Sequence, residues 1–545
     1  MAYIEKVSKN QVVLLPECLD DYISEDNPAR VINAFVEMLE LQSLSFKKSQ
    51  PAETGRPAYD PKDLLKLYIY GYFNRIRSSR KLMVECSRNI EVMWLMGKLQ
   101  PDFRTIADFR KDNHKSLKLV FREFVSLCDK LDLYGKNLLA IDGSKFRAQN
   151  SDDKCFNEDI LNKKLANIDK RINEYLADMD KSDSQETEES INTEKVKEAL
   201  ENLSKRKEKY LGYLRRIHET GVTQILETDP EARRMHTNNG FHCCYNVQTA
   251  IDGDSHLIAE YEVTNHNIDV GLLNQVSTQA KEALKAEVLE VVADKGYEDK
   301  KDILNCLMNG TVPNVALRYD KKERILNIEH QDAEISNELL HSTRAEDIQK
   351  CLHAGVLPKC FENTAVSIEK QEYKEIGCFT RNDDDTVTCP MGYTLFRTKT
   401  KGANTVYASR EACRKCTNRC KGTASYKTVS FGPKTKYIAS YVYGDHPQVN
   451  KPPNNHVFHN SFNNRLKPEA LITIRIKEDK DKLLQRMCLS EHPFGTIKWH
   501  HGAHYLLCRG KEKVSGELGL SCLAYNLRRA INLVGVPNLI AATNY

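Results

Sequence analysis

The sequence has 545 residues, roughly three times the length typical of one domain, so several packed units are expected. Hydrophobic residues make up 40% and charged residues 29%, which excludes a chain that is mostly disordered, collagenous or membrane-embedded. Because 80 Lys and Arg face 76 Asp and Glu, the net charge is only +4, and any affinity for a polyanion must rest on where the charge sits.

The charge sits in blocks. Residues 51–150 carry 19 basic against 12 acidic residues and residues 421–545 carry 18 against 8, so both segments can draw a phosphate backbone, although solvated lysine faces have the same look. The start lacks the basic-then-apolar order of a secretory leader, and no run of 18 apolar residues occurs. A soluble cytoplasmic protein with no membrane partner is expected. Seventeen cysteines scattered from Cys18 to Cys522 do not form a small secreted disulfide framework, so their use is metal binding or chemistry.

In chain order, residues 28–130 read as helices joined by short turns, with Asp60 as an N-cap and Pro61 at the first helical position. Ser78-Ser79-Arg80-Lys81 opens a further helix. Arg75, Arg77, Arg80, Lys81 and Arg88 across these short helices suit a helix-turn-helix that meets DNA, and equally an ordinary bundle. Leu138–Ile141 reads as a buried strand that ends in Asp142. Residues 155–219 carry two runs of apolar residues at spacings of three and four around an acidic stretch, predicting an antiparallel helical hairpin. A β-hairpin follows over 241–263, a helix over 270–284, and a strand over 288–293 that ends in Asp294. Helix 301–307 and strand 312–317 complete a mixed α/β sheet with one antiparallel hairpin. Residues 321–378 read as polar helix and 379–480 as short strands and loops around cysteines. A strand is expected at 470–476, then a helix near Lys482–Leu484 with Glu491 on or beside its continuation, and an amphipathic helix from Ser515 to Val534.

Asp142 and Asp294, each read as closing a strand of one sheet, point to the crevice where α/β proteins place active sites. Carboxylates gathered in a low-dielectric crevice raise one another's pKa, and a divalent cation relieves the repulsion. Oxygen-only ligands favour Mg²⁺ or Mn²⁺, and such ions serve phosphoryl transfer by clamping the attacking and leaving oxygens.

The segments LLAIDGSKFRA with Asp142, DPEAR followed by YNVQTAID, VVADKGY with Asp294, and SEHPFGTIK with Glu491, together with PAYDP near the start, resemble the DDE transposases of bacterial insertion sequences. The resemblance implies an RNase H-like core in which Asp142, Asp294 and Glu491 bind the metal, Lys498 is the basic residue after the glutamate, and Arg486 is the arginine before it. Leu483 stands where that family usually has a tyrosine. On this reading residues 1–130 are a helical DNA-binding domain and the core is split over 131–154, 229–320 and 481–545. Residues 155–228 are then the inserted hairpin, and 321–480 an insertion holding a cysteine module.

In that module Cys389, followed by Pro-Met-Gly, and Cys413-x2-Cys416-x3-Cys420 offer four thiolates in two turn-rich segments, a pattern for structural Zn²⁺ or for unligated cysteines in a basic loop. His500 and His504 have metal-ligand spacing but are read as solvated or phosphate-facing, and Trp499 as packing. The expected function is a transposase that binds the terminal repeats of its element as a dimer or larger assembly on double-stranded DNA, cleaves with metal-activated water and joins the 3′-hydroxyl to target DNA. The alternatives are a non-catalytic DNA-binding regulator and a nuclease that cuts without joining.

Overall fold

A computed structural model describes residues 18–50, 57–184, 193–317, 323–416, 425–433, 435, 437–443 and 470–544. It divides into two compact units. The first comprises the chain up to Ile303, Pro313–Ala316 and everything from Lys480 onward; the second comprises Leu304–Val312 and Leu317–Asp479.

The first unit begins with six helices: α1 (Pro28–Met38), α2 (Pro61–Phe73), α3 (Ser79–Arg88), α4 (Ile90–Leu95), α5 (Phe103–Asp112) and α6 (His114–Lys130). The starts of α1, α2, α4 and α5 are set by side-chain caps that satisfy otherwise orphaned N–H groups. Asn27 accepts from Ala29 N at 2.8 Å, Asp60 from Lys62 N at 2.8 Å and Asp102 from Arg104 N at 2.7 Å. Helix α2 is buried from Leu64 through Phe73, which is why its polar residues are few.

Next come β1 (Leu138–Arg147), β2 (Cys155–Phe156), the long helices α7 (Glu158–Ser184) and α8 (Thr193–Thr220), β3 (Ile225–Leu226), β4 (Arg233–Thr237), β5 (Gly240–Asp252) and β6 (Ile258–Thr264). Helices α7 and α8 run antiparallel: Phe156 and Leu161 at the start of α7 pack with Tyr213, Leu214 and Ile217 near the end of α8. After α9 (Leu273–Ala283), β7 (Leu289–Ala293), α10 (Lys300–Met308) and β8 (Thr311–Val315), a six-stranded sheet is complete. Its order is β4-β5-β1-β7-β8, with β6 also pairing β5. Strand β1 is antiparallel to β5 and parallel to β7.

The second unit holds β9 (Glu323–Glu329), α11 (Asn337–His341), α12 (Ala345–Ala354), β10 (Val366–Arg381), β11 (Val387–Thr388), β12 (Thr394–Lys401), β13 (Asn404–Ala408), α13 (Arg410–Lys415), β14 (Thr428–Phe431), β15 (Tyr437–Tyr443) and β16 (Ala470–Lys477). The segment expected to be polar helix ends instead in the sixteen-residue strand β10. Its partner β16, antiparallel from Val366↔Ile476, lies about a hundred residues on, so local polarity was a poor guide. Phe379, Val387, Leu395, Tyr407, Val429, Phe431 and Ile438 form this unit's core.

The chain returns to the first unit with α14 (Lys480–Gly495), a π-helical turn at Thr496–His500, α15 (Lys511–Val534) and α16 (Val536–Ala542). Helix α15 is not amphipathic as expected but buried on all sides from Gly516 to Leu527. Gly516 permits this: a Cβ there would stand 2.5 Å from the His114 carbonyl oxygen, so only glycine lets α15 approach α6 so closely. Among the described residues no helix is long and apolar enough to cross a membrane.

Candidate active site

Strand β1 does not stop at Asp142 as the sequence predicts; it continues to Arg147, paired throughout with β5. Its parallel pairing with β7, however, covers only Leu138↔Glu290, Leu139↔Val291 and Ala140↔Val292. Extended two residues past its last pair, that register points Asp142 toward Asp294, the residue after the end of β7, and the Asp294 charge acts on the Asp142 carboxyl. Side chains alternate along a strand, so Asp142 shares a face with Ala140, which packs with Val292 and Leu489 of α14.

The Asp142 carboxyl is held above the usual carboxylate range, by burial first and by the neighbouring Asp294 charge among its smaller causes; the nearby Ser490 hydroxyl, the Gly143 N–H and Arg486 oppose this. Gly143 N donates to Asp142 Oδ1 at 2.8 Å, and Arg486 Nη1 lies 3.4 Å from Oδ2. The Ser490 hydroxyl faces this carboxylate without forming a hydrogen bond of good geometry. Asp294 caps a short turn, accepting from Gly296 N at 2.7 Å.

Helix α14 is placed by this packing. Arg486 and Ser490, one turn apart, face Asp142; Leu489 and Phe494 are buried, the latter with its ring 6.2 Å from that of Phe146. Pro493 lies inside the helix and removes one N–H, and the ladder then passes into the π turn, where His501 N bonds Thr496 O at 2.8 Å. Lys498, in that turn, reaches Ser144 Oγ at 2.5 Å and lies over the Phe146 ring at 4.7 Å. Burial lowers its ammonium pKa to about 8, Lys145 adding a smaller push in the same direction.

Glu491 behaves differently. It follows Ser490 and is turned roughly 100° further round the helix, where its side chain is exposed. It sits just before the last turn of α14 rather than at a helix start. Among the described residues, no group of three or more His, Cys, Asp or Glu side chains is set to hold a metal ion. The structure therefore brings together Asp142, Asp294, Arg486 and, through Ser144, Lys498, but does not gather Glu491 with them. The hard oxygens of Asp142 and Asp294 fit a divalent cation; the third ligand is not in place.

Sequence reasoning missed a polar group behind β1. Asp269, in the loop after β6, accepts from Asn246 Nδ2 at 2.7 Å and Gln248 Nε2 at 2.8 Å and lies 3.7 Å from Lys145 Nζ. The Tyr297 hydroxyl donates to Gln248 Oε1. A Cβ on Gly143 would stand 2.3 Å from Gln248 Nε2 and 2.7 Å from Asp269 Oδ1, so Gly143 leaves room for this group. The Asn246 and Gln248 amides on β5 are the signal available in the sequence, since both are fully buried and need partners.

Of the basic residues assigned to DNA, Arg77 is corrected. It is buried, pairs with Glu517 at 2.8 Å, and donates to the Tyr505 and Gly502 carbonyl oxygens. Arg75, Arg80, Lys81 and Arg88 are exposed; Arg80 lies 4.3 Å over the Phe103 ring and Arg88 pairs with Glu85 at 2.5 Å. Trp499, expected to pack, is 73% exposed and stacks on His504 with ring centroids 5.6 Å apart.

In the second unit, Cys389, Cys413 and Cys416 line one cavity with Met391, Tyr393 and Leu395. Tyr393 N donates to Cys389 Sγ at 3.3 Å and Lys427 N to Cys413 Sγ at 3.4 Å. The three share this cavity, but among the described residues they are not gathered into a group that could hold a metal ion. Cys420 lies outside the described residues.

Residues 17–112 match the family described as Transposase domain (DUF772), and residues 388–531 match Transposase DDE domain. The second segment contains Cys389, Cys413, Cys416, Cys420, Arg486, Glu491 and Lys498; Asp142 and Asp294 lie outside both. No curated protein matches the chain. Among solved structures, the cryo-EM structure of the piggyBac transposase synaptic complex with hairpin DNA covers 95% of this chain and 80% of that one. The identity is 8% and the TM-score 0.28.

Proposed function

We propose that this chain, which belongs to the DDE transposases of insertion sequences, binds the terminal repeats of its element, cleaves the DNA there and joins the freed 3′-hydroxyl to target DNA. The observation that supports the reading is the parallel pairing of β1 with β7, whose register runs toward Asp142 and Asp294, together with Arg486 of α14 beside the Asp142 carboxylate. An RNase H-like core is supported by the order β6, β5, β1, β7, β8, with β1 parallel to β7 and antiparallel to β5.

Asp142 and Asp294 would hold Mg²⁺ or Mn²⁺, with Glu491 the third ligand implied by the family; bound there, the cation supplies an activated water and neutralises phosphodiester charge. The protein's own groups do the rest. Arg486 balances the Asp142 carboxylate and is within reach of a phosphate that displaces it. Lys498, anchored on Ser144, presents a cation to the same crevice. In cleavage, water oxygen bonds to phosphorus and the 3′-oxygen leaves as a hydroxyl; in joining, that hydroxyl bonds to a target phosphorus and a target 3′-oxygen leaves. One P–O bond forms for each broken, so no further energy source is needed. A dimer or larger assembly on DNA is part of this reading, on the family resemblance. From their spacing in the sequence, Cys389, Cys413, Cys416 and Cys420 would hold a structural Zn²⁺.

The exposure of Glu491 favours one second reading, a DNA-binding regulator that no longer cuts. Incubating the protein with candidate element ends and Mg²⁺, beside Asp142→Asn, separates the two. The enzyme reading expects nicked and joined products from the parent and end binding without products from the variant; the regulator reading expects binding alone from both.

A further inference from the structure

The turn between α2 and α3, the π turn and α15 bring four basic side chains together in the first unit. Arg75, exposed at a positive φ of 64°, sets its Nη2 2.9 Å from Nδ1 and 2.5 Å from Nε2 of His500. Two residues back, Phe73 is gripped by Arg528 of α15, which donates from Nη2 to its carbonyl at 2.7 Å and stacks 4.2 Å over its ring. His501 lies behind His500, ring centroids 5.5 Å apart; both its ring nitrogens, like Arg528 Nε, are buried and have no hydrogen-bond partner among the described residues.

The charges acting on this group are all positive. Burial and then Arg75 lower the pKa of the Arg528 guanidinium; burial, Arg75 and Arg528 lower His500; burial, Arg528, His500 and Arg75 bring His501 down to about 4. Among the described residues, neither Arg75 nor Arg528 forms an ion pair with an acid. Two guanidinium groups near one another without a carboxylate between them offer paired donors to an anion. His500 is two residues beyond Lys498, and exposed Trp499 separates them.

We infer that Arg75, His500 and Arg528 form a seat for a DNA backbone phosphate, so that the N-terminal helices and the element carrying Lys498 grip one strand together. This rests on the DNA-binding reading above. A duplex phosphate has the charge and the multiple acceptors to bridge two guanidinium groups, and such contacts are independent of base sequence.

The test is a salt titration of the full chain with two fluorescent duplexes of unrelated sequence. Each lost phosphate contact makes the slope of log affinity on log salt less negative by about 0.9. Arg75→Asn suits the positive φ and leaves the fold intact. It should reduce affinity on the order of tenfold equally for both duplexes and flatten the slope by about one, while Arg75→Lys should retain most of both. His500→Asn, also exposed, should reproduce part of the loss. If the parent binds DNA and both Asn variants keep its affinity and slope, the phosphate seat is wrong and the DNA reading survives. If the parent itself fails to bind either duplex, the DNA reading falls with it.

Discussion

Arg77 is the residue on which sequence and structure disagree most sharply, so replacing it is informative. The sequence places it on a DNA-facing helix-turn-helix; the structure buries it against Glu517, which is 1% exposed. Glu517 also accepts from Leu507 N at 2.9 Å and Cys508 N at 2.7 Å. Burial alone would push this carboxyl up, but Arg110 and Arg77 hold it below the usual range. Arg77→Met removes one of its two cationic neighbours and leaves Tyr505 and Gly502 carbonyls without their donor. Breaking a buried pair from one side typically destabilises by about 3–5 kcal/mol. At roughly 2 °C per kcal/mol for a unit of this size, the first unit should lose on the order of 6–10 °C of melting temperature. Circular dichroism melting gives that number, and a salt titration with duplex DNA, run well below the transition, gives the other half of the argument: the slope should match the parent's. A variant as stable as the parent, with a slope flattened by about one, would show that Arg77 meets phosphate and that the buried pair is misplaced.

Other outcomes follow from the same geometry. Because the Asp142 carboxyl is raised, its contribution to stability is present below its unfolded pKa of about 4 and is lost as pH rises through the folded value. Asp142→Asn cannot ionise, so in chelator it should melt above the parent at neutral pH, with the gap closing toward pH 4; equal melting at pH 7 would contradict the burial assigned here. The Lys498 ammonium, lowered to about 8, should be acetylated with a midpoint near that pH in the free protein, and Lys145→Met should move its midpoint upward. A midpoint near 10, read by mass spectrometry, would place Lys498 in solvent. Asp269→Ala frees Asn246 and Gln248 amides in the interior, at about 1–3 kcal/mol for each unsatisfied group, and should lower the melting temperature well beyond Asp269→Asn. Cys413→Ser should reduce bound zinc, measured by atomic absorption after dialysis, to well below one equivalent; unchanged zinc would remove Cys413 from the ligand set.

What was legible in the sequence is what local pattern encodes. The apolar runs before Asp142 and Asp294, the Asp60-Pro61 helix start and the two strands around Asp252-Gly253 all lie where they were expected, because each is set by neighbours within a few residues. Distant pairing was not legible. Glu517 is 440 residues from Arg77, so nothing near Arg77 announced its burial. Strand β10 depends on β16, and the polar run that opens it reads as helix until that partner is known. Asp269 sits in a loop without periodicity, and its role comes only from the amides of β5 that face it. Helix α15 reads as amphipathic from the apolar residues on one face, whereas its glycines and serines are small residues that are also buried.

The central claim is that Asp142 and Asp294 act as a pair on one divalent cation, and calorimetric titration of Mn²⁺ into the free protein addresses it directly. The parent should bind with an affinity that falls at least tenfold in Asp142→Asn and by a similar factor in Asp294→Asn, with little further loss when both are replaced. Losses that simply multiply in the double variant, or unchanged binding in either single variant, would mean that the two carboxylates do not share an ion.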